Sequence, residues 1–422
     1  MYKNCFSFKI VVAILACVVV LSSCDDKGDS PAEAGRKYAQ EICVCFQKPT
    51  ETESEDCADI VFNKYAHYGE NEDFEDSFWS EIANCEAEFP HWWTGGSGVD
   101  YIFDSYYAMH ERYAEVVRLS YLIDASLTQE YAHYHELANF SFTAADQAVR
   151  SLWDASFNAI LNFNYVLANI EHLYDIGLGA YAYEMHAEAR YYRAYVNYVL
   201  LNYFGSIPRI TSVEMPQITQ QATRQVIESA ILDDCQMASG LSEGNQYINP
   251  FELSQMRLRV LINRGAFNEA YMHFMNIYVN GMNLYGWNIS VPISPVLHIS
   301  LPQQMDKHGN VAYPMRFAET LLIGIEVALG RQSINDAAMI LEEFDIYNMY
   351  DASLDEIRAE LPALWNEHLA REGHTFARLK RAGAQTFLNA LGQYGATEKH
   401  MLLPIPQAIM DANPNWTQNA GW

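Results

Sequence analysis

The chain has 422 residues, half of them apolar, with 53 acidic against 26 basic side chains and a formal net charge of −27. That apolar share excludes global disorder, and the length allows one large or two ordinary domains. The acidic balance repels phosphate backbones and anionic membrane surfaces, which argues against a nucleic-acid partner.

Lys3 and Lys9 precede an apolar run from Ile10 to Leu21, followed by Leu21-Ser22-Ser23-Cys24. The pattern reads as a signal peptide over residues 1–23 ending in a lipobox, which makes Cys24 the lipid-bearing residue after cleavage. A spanning anchor is the rival reading, but the run is too short to cross ~30 Å of hydrocarbon. No later stretch approaches about eighteen uninterrupted apolar residues, so the lipid alone is expected to hold the protein to a membrane. Residues 24–98 read as a polar tether, DDKGDSPAEAG, and an acidic cysteine-bearing segment, with a helical domain over residues 99–422.

Cys43, Cys45, Cys57 and Cys85 cluster in that segment, and export places them in an oxidising compartment, where two disulfides are expected. Cys43 and Cys45 diverge by about 200° on a helix and cannot bridge each other. Two pairings stay open: 43–57 with 45–85, or 43–85 with 45–57. A zinc site is the rival reading, but the spacing lacks the paired C-x-x-C of a ribbon or finger, and no metal or other cofactor is expected. Cys235 reads as a buried small hydrophobe.

The glycines of HWWTGGSG, residues 91–98, mark a loop and a candidate boundary. Helical periodicity then predicts helices over about 101–123, 144–173, 180–204, 219–239, 250–263, 267–280, 313–329, 333–345 and 354–371. In the third of these, Ala187, Tyr191, Ala194, Tyr195, Tyr198 and Asn202 form one stripe, Gly205 supplies a left-handed stop and Pro208 prevents resumption. Arg190 and Arg193 share a face, from which both can reach one carboxylate. Breaks at Leu258…Gly265…Ala270 and Leu322…Gly330…Ala337 resemble the turns of tetratricopeptide-type hairpins. Residues 205–218, 240–249, 281–312 and 396–422 lack a helical pattern. Pro292, Pro295 and Pro302 make the third of these a loop.

No H-E-x-x-H, nucleophile elbow, P-loop or dinucleotide fingerprint is present, so the chain is not expected to be an enzyme. It is rich in aromatics, with 28 Tyr, 20 Phe and 8 Trp. Pyranose rings stack their C–H faces on such side chains and bond their hydroxyls to amides and carboxylates. Tyr191, Tyr195 and Tyr198 sit at helical spacing and are expected to pack. Loop aromatics are the candidate ligand residues: Trp92 and Trp93 beside Gly95-Gly96, and Tyr285, Trp287 and Asn288 after the helix FNEAYMHFMNIYVNG. Trp153, in register with Phe157 and Ile160, is expected to anchor the fold.

Five motifs in order carry a family resemblance. EARYYRAYVNYVLLNYFGSIPRI resembles the helix-then-FG-x-x-P signature of SusD/RagB-like lipoproteins. Trp153, Asn158, Ile160 and Asn164 resemble the family's W-then-AN helix. Arg316-Phe317-Ala318-Glu319 is similar to R-x-A-E, and Glu372-Gly373-His374 with Leu379-Lys380-Arg381 to EGH-x-x-x-x-LKR. MLLPIPQAIMDANPNWTQNAGW resembles the P-I-P…N-P…Q-N-P-G-aromatic ending. The chain departs at Phe163 for Ala, Ile409 for Glu, Ala420 for Pro and Trp422 for Tyr. The resemblance implies an all-α fold of tetratricopeptide-type hairpins beneath an irregular ligand-facing lobe, with residues 281–312 on the ligand-facing surface. It implies a surface-exposed outer-membrane lipoprotein that delivers oligosaccharide to a SusC-like TonB-dependent transporter, with Asp25 and Asp26 as an export signal. A peptide-binding RagB-like protein is the alternative, and a helical carbohydrate-active enzyme a more distant one. Arg190, Arg193, Arg316, Glu319, Glu372, Arg378 and Arg381 are then expected to cross-link helices and not to touch ligand.

Overall fold

The computed structural model describes residues 30–48, 51–68, 71, 73, 74, 77, 78, 81, 98–216, 220–241, 248, 250–285, 287, 288, 290, 291, 293, 297, 298, 301, 302, 305, 311, 312 and 314–422. Cys24, Cys85, Trp92 and Trp93 lie outside them. The chain divides into two compact units that part between Tyr101 and Ile102.

In the first unit, Ser30 accepts a hydrogen bond from the Glu33 amide at 3.3 Å and Pro31 opens helix α1, Pro31–Phe46. Helix α2, Glu51–Tyr65, packs on it. Ala34, Ala39, Ile42 and Cys45 meet Ala58, Val61 and Tyr65 in a small core closed by Phe74 and Phe78. Tyr38 stacks on Phe78 with ring centroids 4.7 Å apart. A Cys45–Cys57 disulfide joins α1 to α2, and Cys43 is disulfide-bonded as well. Of the two pairings left open by spacing, the bridge excludes 43–57 with 45–85.

Among its described residues the second unit is helical apart from a two-residue antiparallel ladder, Leu297–His298 against Val311–Ala312, and an isolated bridge between Pro208 and Gln221. Its helices are α3 (Gly98–Leu127, of which residues 98–101 fall in the first unit), α4 (His135–Ala138), α5 (Gln147–Ala168), α6 (Ile170–Asp175), α7 (Gly179–Phe204), α8 (Arg224–Ser239) and α9 (Pro250–Asn263). After these come α10 (Phe267–Tyr285), α11 (Phe317–Gly330), α12 (Ile334–Leu341), α13 (Leu354–Leu369), α14 (Thr375–Arg381), α15 (Ala384–Leu391) and α16 (Gln407–Ala412). From α7 to α12 each helix packs on the next, so neighbours in sequence are neighbours in space, as in stacked helical hairpins.

Local chemistry sets the boundaries. The predicted helix 144–173 is two helices, because the chain leaves helical register at Asn169, whose Nδ2 donates to the Tyr165 carbonyl at 2.8 Å. Helix α8 begins five residues later than predicted because the Thr223 hydroxyl takes the N-cap. Helix α10 runs on to Tyr285, past the predicted end at 280. Residues 396–422, read as non-helical, contain α16 and a 3-10 turn at Glu398–Met401. The short helices α14 and α15 bury Phe376 and Phe387, and their length is too small for periodicity to declare.

Gly205 ends α7 with φ 72° and ψ −113°, a positive-φ conformation outside the left-handed helical basin and open in practice to glycine. The C-terminal motif closes over this turn. Leu403 donates to the Tyr203 carbonyl at 2.7 Å, and Asn419 Nδ2 donates to the Phe204 and Leu403 carbonyls at 2.9 and 2.7 Å. Trp153 is 3% exposed and meets Phe157, Phe204 and Trp416 with centroids 4.8, 5.0 and 6.3 Å away, so the W-helix, the FG turn and the C-terminal segment share one aromatic knot.

Candidate functional site

The helix stripe of α7 is buried at Ala187, Tyr191, Ala194, Tyr195 and Tyr198, as packing demands. Its two arginines converge on Asp234 of α8. Arg190 Nη1 donates to Oδ1 at 2.9 Å, and Arg193 holds Oδ1 and Oδ2 at 2.6 and 2.8 Å. Arg193 Nη1 also donates to Asn164 Oδ1 at 2.7 Å. The Asn164 amide in turn holds the Ile210 and Ser212 carbonyls at 3.1 and 2.8 Å. One guanidinium therefore ties α8 to α5, and through it to the strand-like segment after the FG turn.

A second junction lies beneath the segment linking α10 to α11. Arg259 of α9 grips Glu319 of α11 through two 2.7 Å hydrogen bonds and donates to the Pro314 carbonyl at 2.6 Å. Arg316 bonds Glu372 Oε1 at 2.6 Å and the His368 carbonyl at 2.9 Å. Arg381 binds Glu326 at 3.1 and 3.2 Å. The motif charges thus cross-link helices. Arg378 departs from the pattern, because its Nε finds no partner within the protein.

Electrostatics follow from this burial. Burial by itself raises the Glu319 carboxyl, but the charge of Arg259 and its two hydrogen bonds outweigh it and hold the group below the ordinary carboxylate range. Burial lowers the His374 imidazole, whose Nδ1 lies 3.5 Å from Glu319. A cavity of ≈ 20 Å³ opens here, lined by Tyr195, Arg259, Glu319, Trp365, His374 and Arg381 among others. It has room for about one water and none for a sugar ring.

The candidate ligand residues sit where the chain leaves α10. Tyr285 is the last residue of that helix. Trp287 donates its amide to the Gly281 carbonyl at 3.0 Å and folds its ring back over that glycine, where an added Cβ would meet the ring at 2.5 Å. The ring also meets Phe251 and Phe317 edge-on, at 4.9 and 5.6 Å between centroids. Trp287 is half-buried, so helix packing does involve this loop aromatic. Asn288 is exposed, and its Oδ1 accepts from the Ser290 amide at 2.9 Å. The root of the excursion is closed by Ile293 to Met315 at 3.0 Å, Phe317 to Val291 at 2.9 Å, and the grip of Arg259 on Pro314. Val291 and Ile293 are thus joined to Phe317 and Met315, and Tyr285, Trp287 and Asn288 lie between the end of α10 and this junction.

Sequence reasoning missed Asp234 and Arg259, the partners of the motif charges. A signal existed for Arg259, a lone cation between Leu258 and Val260-Leu261 on a buried helix face. It also passed over Tyr347 and Tyr350, which stand 58% and 46% exposed between α12 and α13. The Tyr347 hydroxyl is oriented by Asp345 at 3.1 Å. Among the described residues no group of three or more His, Cys, Asp or Glu could hold a metal ion, and no helix is long and apolar enough to cross a membrane.

Residues 100–247 match the family model SusD-like_3, described as starch-binding and associating with the outer membrane. No curated protein matches the chain in sequence. In fold, it is similar to a SusD superfamily protein from Bacteroides vulgatus at 12% identity and TM-score 0.62, over 76% of this chain and 99% of that one. A laminarin-binding SusD-like protein is similar at 15% identity and TM-score 0.56, again over 76% and 99%. Surface glycan-binding protein A from Bacteroides uniformis is similar at 14% identity and TM-score 0.58, over the same shares. At such identities the structural likeness is one of fold, and the fold is theirs over nearly their whole length.

Proposed function

We propose that this chain, a SusD/RagB-like protein by family model and fold, captures oligosaccharide as a lipid-anchored protein of the outer membrane. The observation that carries the reading is the shared fold with a laminarin-binding and a surface glycan-binding protein, each matched over 99% of its length. The backbone bonds of Trp287 to Gly281 and of Val291 to Phe317 on either side of Asn288 support it, because groups already ordered meet ligand at a lower entropic cost. Asn288, Trp287 and Tyr285, where the chain leaves α10, are the ligand residues proposed, with Trp92 and Trp93 as a second pair. Asn288 offers amide hydrogen bonds to vicinal hydroxyls, and the open part of Trp287 offers an apolar face.

The lipobox at Cys24 supplies the anchor in this reading, and the polar tether after it allows the body to tilt while staying near the membrane. A tethered protein cannot move solute inward by itself. Capture has value beside a transporter, where holding ligand raises its local concentration, and a SusC-like TonB-dependent barrel is the partner proposed.

The reading is tested by titrating the mature protein with a panel of oligosaccharides and unrelated peptides. Saturable glycan binding that falls at least tenfold in Asn288→Ala, with an unchanged melting curve, supports it. Peptide binding without glycan binding would favour the RagB-like alternative, and turnover of any polysaccharide the enzyme. Gentle extraction from native membranes is expected to bring down a large β-barrel in roughly equal amount.

A further inference from the structure

The cavity at the junction of α7, α9, α11, α13 and α14 has two features that packing does not account for. Trp365, 2% exposed, and His374, 8% exposed, both line it. Their Nε1 and Nε2 atoms find no hydrogen-bond partner within the protein. Buried polar groups are paired in the great majority of cases, because leaving one unpaired forfeits its hydration without return. The two rings stand with centroids 6.4 Å apart, and both belong to the wall of one space of ≈ 20 Å³. The Trp365 indole nitrogen can only donate. His374 Nδ1 lies toward the Glu319 carboxylate at 3.5 Å, which makes Nδ1 the protonated nitrogen and leaves Nε2 as an acceptor.

We propose that the cavity is a binding site for one ordered water, which accepts from Trp365 Nε1–H and donates to His374 Nε2. The size admits a water and little else. A metal cation is disfavoured, because Arg259 and Arg381 also line the space. An added anion gains little, because those arginines are already paired with Glu319 and Glu326. The water's second proton and second lone pair face a wall that includes Tyr195, Tyr198 and Asn202, whose hydroxyl and amide groups can complete its coordination. Bound there, it links α13 to α14. Through His374, Glu319 and Arg259, the link continues to the Pro314 carbonyl at the root of the 281–312 excursion.

The test uses the full mature chain. In a 15N-labelled sample, the indole signal missing from Trp365→Phe identifies Trp365. That indole proton is expected to show a water cross-peak with the sign of a long-lived bound molecule and slow exchange with solvent. A crystal structure at high resolution is expected to place one water within hydrogen-bond distance of both nitrogens. In denaturant titrations His374→Phe is expected to shift the midpoint in the parent and to shift it far less in the Trp365→Phe background. The proposal is overturned by an observed, slowly exchanging indole with no water cross-peak, by density showing Trp365 bonded directly to a protein carbonyl, or by an ion in the cavity. If either variant fails to fold, the crystal structure of the unsubstituted chain decides by itself.

Discussion

Two parts of the second unit were built under opposite constraints. Beneath the excursion, Arg259, Glu319, Arg316 and Glu372 are nearly all removed from water and locked by hydrogen bonds of 2.6–2.7 Å. Above it, Asn288 stands in solvent and Trp287 is only half covered. Charges in the first region have no freedom to meet a ligand, since every move would strand a partner in low dielectric. In the second, the Asn288 side chain is exposed and holds only the Ser290 amide among the described residues.

The contrast is broken most directly at its centre. Arg259→Ala leaves Glu319 buried without its partner and is expected to cost about 3–5 kcal/mol, read from urea denaturation. A loss under 1 kcal/mol would mean that the junction does not hold the excursion. Trp153→Ala empties the aromatic knot and is expected to cost ~3–5 kcal/mol, with ligand affinity unchanged in the protein that remains folded. Unchanged melting with lost binding would reverse that assignment.

The first unit offers an independent comparison, because its core is small and cross-linked. Removing the Cys45–Cys57 bridge by a Cys45→Ser, Cys57→Ser pair is expected to cost that unit about 2–4 kcal/mol. Protease sensitivity of residues 30–68 should rise while the second unit's melting transition stays in place. A single shared loss of both would show that the two units unfold together.

Acidity sharpens the contrast in smaller steps. Burial holds the imidazoles of His186 and His400 at about 4 against an ordinary value of 6.5. The unfolded chain takes up these protons first, so their contribution is complete above about 6.5 and is lost as pH falls through the folded values. Glu319, held low, acts in the same direction at lower pH. Glu188 and Asp124, raised chiefly by burial, act in the opposite one by keeping protons in the fold. His400→Asn, which can still accept from the Thr397 amide, is expected to flatten the fall in stability between pH 7 and pH 4. An unchanged slope would show that His400 is not buried as a neutral ring.

The amphipathic stripe of α7, its stop at Gly205 and the packing of Trp153 were legible in the chain alone, because each depends on residues within a few turns of one another. The same local logic excluded a Cys43–Cys45 bridge. It did not choose between the two remaining pairings, since that choice depends on which faces α1 and α2 present to each other. Likewise, Arg190 and Arg193 announced a shared carboxylate, yet only the packing of α7 on α8 identified Asp234. Arg259 could be seen as a cation flanked by Leu258 and Val260, but its reach to Glu319 and Pro314 spans 60 and 55 residues of sequence. Trp287 read as a free loop aromatic, and tertiary structure laid its ring across Gly281 between Phe251 and Phe317. Sequence settles what a residue's near neighbours can satisfy; a buried charge or a folded-back ring is settled by partners that only the assembled helices bring within reach.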